Sequence, residues 1–317
     1  MQFEFERNIE TIRTQIEKLK RDSKQRGQDS SRIEEMETRL TQVTNETYRN
    51  LSPMEQVQVA RHPRRPYTLD YVERIFTDWI ELHGDRNFRD DEAIVGGWAR
   101  LGDRSLMVIG HQKGRDMKEN LRRNFGMPHP EGYRKALRLM RQAEKFGRPV
   151  VTFIDTPGAF PGIGSEERGI AESIARNLRE MACLKVPTVS VVIGEGMSGG
   201  ALGIGVTDRI VMLQHSIYSV ISPEGCAAIL WRTAEKKEEA AVALRLTAKD
   251  LVEMGVCDKI VPEPDAGAHS DWDAAAKSLS SALGSLLDEL AALTPDALIA
   301  ARHAKYEAVG AWREANA

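Results

Sequence analysis

Two apolar runs constrain the fold of this chain most strongly, because each is followed at once by a glycine-rich turn. The runs are PVVTFID at residues 149–155 and PTVSVVIG at residues 187–194, and a helical pattern follows each turn. Strands that are apolar throughout have both faces covered, as in a largely parallel sheet flanked by helices. The sequence therefore predicts an α/β protein.

Strands and helices also alternate on both sides of these runs. Periodicity predicts further strands at residues 94–101, 105–112, 209–213 and 218–221. It predicts helices at residues 133–146 and 166–184, a short helix from Gly199, helices after Pro223, and two more in the last fifty residues.

The first fifty residues follow a different pattern, with ten basic and ten acidic residues and almost no glycine or proline. Their apolar positions recur at helical spacing, which predicts a hairpin of two amphipathic helices. These positions are Ile9, Ile12, Ile16 and Leu19, then Ile33, Met36, Leu40 and Val43. The apolar stripe is too narrow to form a core by itself, so the hairpin must pack on the rest of the chain or on another subunit. We predict a helical extension at residues 1–55 and one larger domain at residues 56–317.

Composition argues against several classes of protein. A chain of 317 residues with a net charge of −3 has no overall excess of positive charge for coating a nucleic acid. Its apolar runs are too short for a spanning helix, and the N-terminus lacks the layout of a signal peptide, so we expect no membrane association. Cys183, Cys226 and Cys257 lack the spacing of a zinc site, which predicts no metal centre and suits the reducing cytoplasm.

The two glycine-rich turns are the candidate chemical features. They lie at residues 155–164 (DTPGAFPGIG) and 194–201 (GEGMSGGA), each between a predicted strand and a predicted helix. Glycines at a helix N-terminus let a ligand oxygen approach unpaired N–H groups closely. Such a turn can hold an oxyanion without a charged side chain, although tight turning alone would also explain the glycines.

The second turn also matches two other motifs. Gly194 to Gly199 fits the G-x-G-x-x-G dinucleotide motif, but too few residues follow before the next predicted strand, and the expected acidic residue is missing. Gly196 to Gly200 fits the G-x-S-x-G nucleophile elbow with Ser198 as nucleophile. Three histidines follow Ser198, but none stands in a convincing turn.

A basic run follows the strand predicted at 105–112. Lys113, Arg115, Arg122 and Arg123 begin it, and further Lys and Arg residues continue it to Arg141. It is either a solvated helical face or a surface that binds phosphate or another subunit.

Several strings of residues in this chain resemble those of the alpha subunit of bacterial acetyl-coenzyme A carboxylase carboxyltransferase. The resemblance covers most of the chain and is densest between residues 61 and 264. The matching strings include RHPRRPYTLDY (61–71), IGHQKGR (109–115), RRNFGM (122–127), PEGYRKALRLM (130–140), TFIDTPGA (152–159), IGEG (193–196), SGGAL (198–202) and YSVISPEGCAAILW (218–231).

The resemblance implies a crotonase-like fold, a spiral of strand-strand-helix units whose helix N-termini build oxyanion holes. It implies that Gly199 and Gly200 donate backbone N–H groups in catalysis, with Gly158, Ala159, Gly196 and Met197 close to carboxybiotin. Well-known members have glycine where this chain has Met197. Lys113, Arg115, Arg122 and Arg123 are assigned to the phosphates of coenzyme A or to a partner's acidic face.

The implied reaction moves a carboxyl group from carboxybiotin on a biotin carboxyl carrier protein to acetyl-CoA, giving malonyl-CoA for fatty acid synthesis. ATP is used elsewhere in the complex, at the biotin carboxylase subunit. The family assembles as an α2β2 heterotetramer whose beta subunit carries a zinc finger, and this chain, with no zinc spacing, matches the alpha role. The alternative is a stand-alone crotonase-like hydrolase or protease that uses Ser198.

Overall fold

The computed structural model describes residues 3–26 and 30–310, and an eight-stranded sheet forms the centre of this part of the chain. The strands are β1 (Thr77–Glu81), β2 (Ile94–Leu101), β3 (Arg104–His111), β4 (Val150–Thr156), β5 (Thr188–Met197), β6 (Arg209–Leu213), β7 (Ile217–Ser219) and β8 (Lys259–Val261). The helices before β5 are α1 (Arg7–Arg26), α2 (Ser30–Arg49), α3 (Pro53–Ala60), α4 (Thr68–Ile75), α5 (Met117–Arg122), α6 (Pro130–Lys145), α7 (Ile163–Glu167) and α8 (Ile170–Ala182). Those after it are α9 (Ser198–Leu202), α10 (Pro223–Trp231), α11 (Lys237–Leu244), α12 (Ala248–Glu253), α13 (Trp272–Ala291) and α14 (Pro295–Glu307).

The strand order of the sheet is β1-β2-β3-β4-β5-β6-β8, and β7 pairs with the end of β5. The pairs β1–β2 and β2–β3 are antiparallel, whereas the pairs β3–β4, β4–β5, β5–β6 and β6–β8 are parallel. The carboxyl ends of β3, β4 and β5 therefore meet at one edge of the sheet. Ligands of open α/β sheets bind at such an edge.

Each face of the sheet is covered by helices, which is why the central strands are apolar throughout. Val108, Phe153 and Val191 point to a core that includes Leu283 of α13. Their sequence neighbours Ile109, Ile154 and Val192 point to the opposite core, which includes Leu139 of α6 and Met181 of α8. The α/β class predicted from the sequence is confirmed.

The N-terminal hairpin consists of α1 and α2, which Lys20 and Glu37 link by an ion pair of 2.6 Å. Its buried residues Phe3, Ile9 and Tyr48 pack against Val59 of α3 and Ala266, so the hairpin rests on the body of the chain. Helix α3 runs across the predicted division between residues 1–55 and 56–317, and that division remains a prediction.

The helix predicted at residues 166–184 is interrupted in the structure. Residues 166–184 form α7 and α8 with a break between them, because Gly169 adopts a left-handed φ of 80° at the start of α8. The short elements β1, β8, α3, α4 and α5 were not predicted at all. Among the described residues, no helix is long and apolar enough to cross a membrane.

Candidate functional site

The two glycine-rich turns lie against each other at the carboxyl ends of β4 and β5. A Cβ atom on Gly200 would stand 2.5 Å from the carbonyl carbon of Gly158 and 2.6 Å from the nitrogen of Ala159. The first turn of α9 therefore packs directly on the backbone of the first loop. Thr156 fixes that loop, since its hydroxyl accepts from the Gly158 N–H at 3.1 Å and donates to the Gly158 carbonyl at 2.8 Å.

Gly199 and Gly200 occupy the first turn of α9, where N–H groups have no partner within the helix. Gly200 is buried and Gly199 is partly exposed. The carbonyl of Gly200 accepts a hydrogen bond of 3.2 Å from the Tyr133 hydroxyl, and this bond anchors the turn to α6. The turn thus presents a fixed backbone on its exposed side, as an oxyanion site requires.

A cavity of about 260 Å³ opens beside this turn. Ser198 and Gly199 form one wall, and Leu202, Val220 and Leu251 line much of the rest. The cavity is therefore mostly apolar, with backbone and hydroxyl groups concentrated near α9. Such a layout suits a group that is largely apolar but carries one polar end.

The family resemblance leads one to expect glycine at position 197. Met197 nevertheless does not strain the loop. Its backbone is extended, with φ −117° and ψ 135°. Its side chain is buried in a cluster with Met54, Val57 and Ile217, beneath α3 and away from the cavity. Gly196 is more constrained, because a Cβ atom there would stand 2.6 Å from the ring of Tyr218.

A buried group of charged side chains lies beside the two loops. The Lys113 ammonium donates to Asp155 at 2.7 Å and to Glu195 at 3.0 Å, and Arg61 donates to the other Glu195 oxygen at 2.8 Å. Burial raises the pKa of the Asp155 carboxyl, although the Lys113 charge opposes the rise. Burial also opposes the charge of Glu195, but Lys113 and Arg61 outweigh it and hold the pKa of Glu195 below its ordinary value.

The basic run does not form one surface. Arg115 is held by the Pro63 carbonyl at 2.7 Å and lies 3.8 Å above the Tyr67 ring, whereas Arg122 is exposed and pairs with Glu92. Arg123 is buried and donates to the backbone carbonyl of Glu92.

Acidic residues before β2 pair with later members of the basic run. A count of charges in the sequence therefore could not show where each basic side chain lies in the fold. Arg134 pairs with Asp85 and Lys135 with Asp90. Substrate binding by Lys113, Arg115, Arg122 and Arg123 therefore remains a prediction, and the burial of Lys113 and Arg123 favours an internal role for those two.

The hydrolase alternative requires a catalytic base beside Ser198. Ser198 is exposed with a left-handed φ of 56°, yet no hydrogen bond within residues 3–26 and 30–310 joins it to a histidine. His129 contacts Ser165 at 2.6 Å instead, and His215 contacts Gln56. The dinucleotide alternative also fails, because residues 194–197 belong to β5 and α9 is only five residues long.

Solved structures that share this fold include a transcarboxylase, the beta subunit of a carboxylase and a malonate decarboxylase. Transcarboxylase 12S, solved with methylmalonyl-coenzyme A and methylmalonic acid bound, superposes with a TM-score of 0.59 at 20% identity and covers 72% of this chain and 42% of its own. The beta subunit of P. aeruginosa geranyl-CoA carboxylase gives 0.57 at 20% identity over 78% of this chain and 46% of its own. This chain thus spans less than half of either neighbour. The fold class of this chain is therefore crotonase-like, as the sequence predicts.

Sequence comparison narrows that class to one family. The family described as "Acetyl co-enzyme A carboxylase carboxyltransferase-like" matches residues 2–310. The acetyl-coenzyme A carboxylase carboxyl transferase subunit alpha of Gemmatimonas aurantiaca is 55% identical over 98% of each chain. Its counterpart in Thermus thermophilus is 53% identical over 99% of this chain and 100% of its own. The chain belongs to this family of alpha subunits.

Reasoning from the sequence found the glycine turns but missed the acids that hold them. Asp155 and Glu195 were visible as single charged residues at the ends of otherwise apolar strands. That position was the available signal, because a charge in such a strand needs a buried partner.

Proposed function

We propose that this chain is the alpha half of an acetyl-CoA carboxylase carboxyltransferase, which moves a carboxyl group from carboxybiotin to acetyl-CoA and forms malonyl-CoA. The observation that carries the proposal is identity of 53–56% to alpha subunits along nearly the whole chain. The contact between the Gly158 and Gly200 loops supports it, since this contact places backbone donors at the carboxyl edge of the sheet.

Carboxybiotin, when bound, supplies the carboxyl group, and the residues at the loops fit that ligand. The N–H groups of Gly199 and Gly200 would donate to its oxyanion, while Gly158, Ala159, Gly196 and Met197 shape the two loops around it. Gly199 and several apolar side chains line the adjacent cavity, and this apolar lining would limit the access of water to a bound ligand. Preorganised donors in a dry site are worth more than donors in water, so no titrating dyad is needed.

We infer a beta partner that contributes the thioester side of the site, in an assembly of two alpha and two beta chains. A carrier protein bearing biotin, and an ATP-using biotin carboxylase, would supply the carboxyl group, and the zinc belongs to the beta partner. Exposed apolar side chains on α10 support such an assembly, since Ile229 and Leu230 are 71% and 65% exposed. We assign the reaction to the cytoplasm, as the isolated cysteines suggest.

The variant Ser198→Ala tests this function against the hydrolase alternative. Combined with the beta partner, the variant is expected to retain most malonyl-CoA formation, because a turn hydroxyl contributes only about 0.5–2 kcal/mol of stability. A nucleophile would be indispensable. Loss of activity together with covalent labelling of wild-type Ser198 by a fluorophosphonate would instead establish the hydrolase.

A further inference from the structure

Lys113 joins three neighbouring strands at the edge of the sheet where the site lies. It follows β3, whereas Asp155 lies near the end of β4 and Glu195 near the end of β5. Its ammonium contacts both carboxylates, at 2.7 Å and 3.0 Å, and only 14% of the Lys113 side chain is exposed. One buried cation is therefore the common partner of carboxylates at two strand ends.

Each of these two acids lies at the beginning of one of the glycine-rich turns. Asp155 is followed by Thr156, Pro157 and Gly158, and Glu195 by the residues that lead to Gly199 and Gly200. The Asp155 carboxylate also accepts a hydrogen bond of 3.1 Å from the Glu195 N–H. Since a Cβ on Gly200 would stand 2.5 Å from Gly158, the loops leave little space for relative movement. A shift between the two acids would be transmitted to the donors of α9.

Lys113 also supplies the positive charge that allows the carboxylates of Asp155 and Glu195 to lie close together. Arg61 contacts Glu195 and Glu224 but makes no hydrogen bond to Asp155 within the described part of the chain. Lys113 and Glu195 are the charged side chains that act most strongly on Asp155. Without Lys113, two buried carboxylates would face each other, and one would take up a proton.

Three further groups face Asp155 from α4 and the segment before it, namely Arg65, Tyr67 and Tyr71. Arg65 is already paired with Glu263, and the two tyrosines are neutral because burial raises the pKa of each phenol. None of them therefore replaces the contact that Lys113 makes with the Asp155 carboxylate.

We propose that Lys113 is a positioning residue, which holds the Gly158 loop and the Gly199–Gly200 turn at their working separation through Asp155 and Glu195. The inference rests on the proposed carboxyltransferase function and deepens it. It differs from the substrate-binding role predicted from the sequence, because Lys113 acts on the loops and not on coenzyme A.

The variant Lys113→Met, assembled with the beta partner, gives the primary test. We expect kcat to fall about 10²-fold while KM for acetyl-CoA stays unchanged, since misplacement of catalytic groups by about 1 Å costs that much. The ratio of variant to wild-type kcat should fall further as pH rises from about 6 to about 9. At lower pH the Asp155–Glu195 pair shares a proton, whereas at higher pH both acids are ionised and repel each other.

Two further variants make this test specific. Adding Asp155→Asn to Lys113→Met removes the repulsion, so the kcat ratio should become independent of pH. The matched control is Lys305→Met, because Lys305 is 13% exposed and pairs with Asp258 at the opposite ends of the strands, beside β6 and β8. The control is expected to lose stability but to keep a wild-type pH profile.

A raised KM with normal kcat in Lys113→Met would identify a substrate contact and overturn the inference. A kcat ratio as flat as that of Lys305→Met would overturn it too. If Lys113→Met does not fold, Asp155→Asn alone must lower kcat without changing KM, and normal kcat would contradict the account.

If the wild-type complex makes no malonyl-CoA, the proposed function fails, but the positioning role of Lys113 can still be judged. Amide hydrogen exchange at residues 156–162 and 196–203 should then be faster in Lys113→Met and should recover when Asp155→Asn is added. Exchange equal to wild type would overturn the role.

Discussion

At the scale of single residues, Gly199 and Gly200 of α9 differ in the space that is available for a side chain. A side chain on Gly200 would collide with the backbone of Gly158 and Ala159, and backbone cannot move as a flexible side chain can. A Cβ on Gly199 would meet only Ile174, at an ordinary contact distance of 3.7 Å. The close approach of the loops therefore requires glycine at 200, and the structure leaves room at 199.

The pair of variants Gly200→Ala and Gly199→Ala measures this difference. Gly200→Ala should lower kcat by about 10²–10³-fold, because the turn must move and its N–H donors leave their positions. Gly199→Ala keeps its N–H in place and should retain most of the activity in the same malonyl-CoA assay. Equal activity of the two variants would show that the loop contact does not set the donor geometry.

The sequence revealed these glycines because a strand followed by a glycine turn is a local pattern. The contacts of Lys113 could not be predicted in that way, since its partners lie 42 and 82 residues further along the chain. The same holds for Arg123, whose burial depends on the fold and not on its neighbours in sequence. Local charge counts therefore identified a basic run but could not show which of its side chains are buried.

At the scale of elements, a buried arginine helps to attach the C-terminal helix α14 to the sheet. Arg302 is buried and donates to Asp208 at 2.9 Å and to the backbone carbonyls of Met181 at 2.7 Å and Leu184 at 2.9 Å. These contacts join α14 to the end of α8 and to the residue before β6. The helix is therefore part of the folded body.

The variant Arg302→Met should lower the free energy of unfolding by about 3–5 kcal/mol, because it leaves the buried Asp208 without its cation. Urea denaturation measures the change. Arg176→Met is the control, since Arg176 pairs with Glu172 on the surface and should change stability by less than about 1 kcal/mol. A loss at Arg302 no larger than at Arg176 would contradict this role for α14.

The ends of elements with strong apolar patterns were predicted to within a few residues. Several short elements were not predicted at all. Strand β6 matches its prediction at both ends, and β2 does so as well. Strand β5 runs three residues beyond its predicted end at 194, because pairing with β4 and β7 continues through the glycine-containing segment. The break at Gly169 was missed because its left-handed φ is not visible in an apolar pattern that continues on both sides.

At the scale of the whole molecule, the proposed function requires a second subunit to complete the active site. The described residues bring together one pair of glycine loops, and the resemblance implies a second oxyanion hole on a different subunit. The exposed apolar side chains of α10 suit burial against such a partner. Activity should therefore depend on assembly and not on this chain alone.

Transfer of labelled carboxyl from carboxybiotin on the carrier protein to acetyl-CoA tests this central claim most directly. The purified chain, the purified beta partner and their complex are compared at equal concentrations of active subunit. The account predicts labelled malonyl-CoA from the complex and none above background from either subunit alone. Transfer by this chain without the partner, or no transfer by the assembled complex, would contradict it.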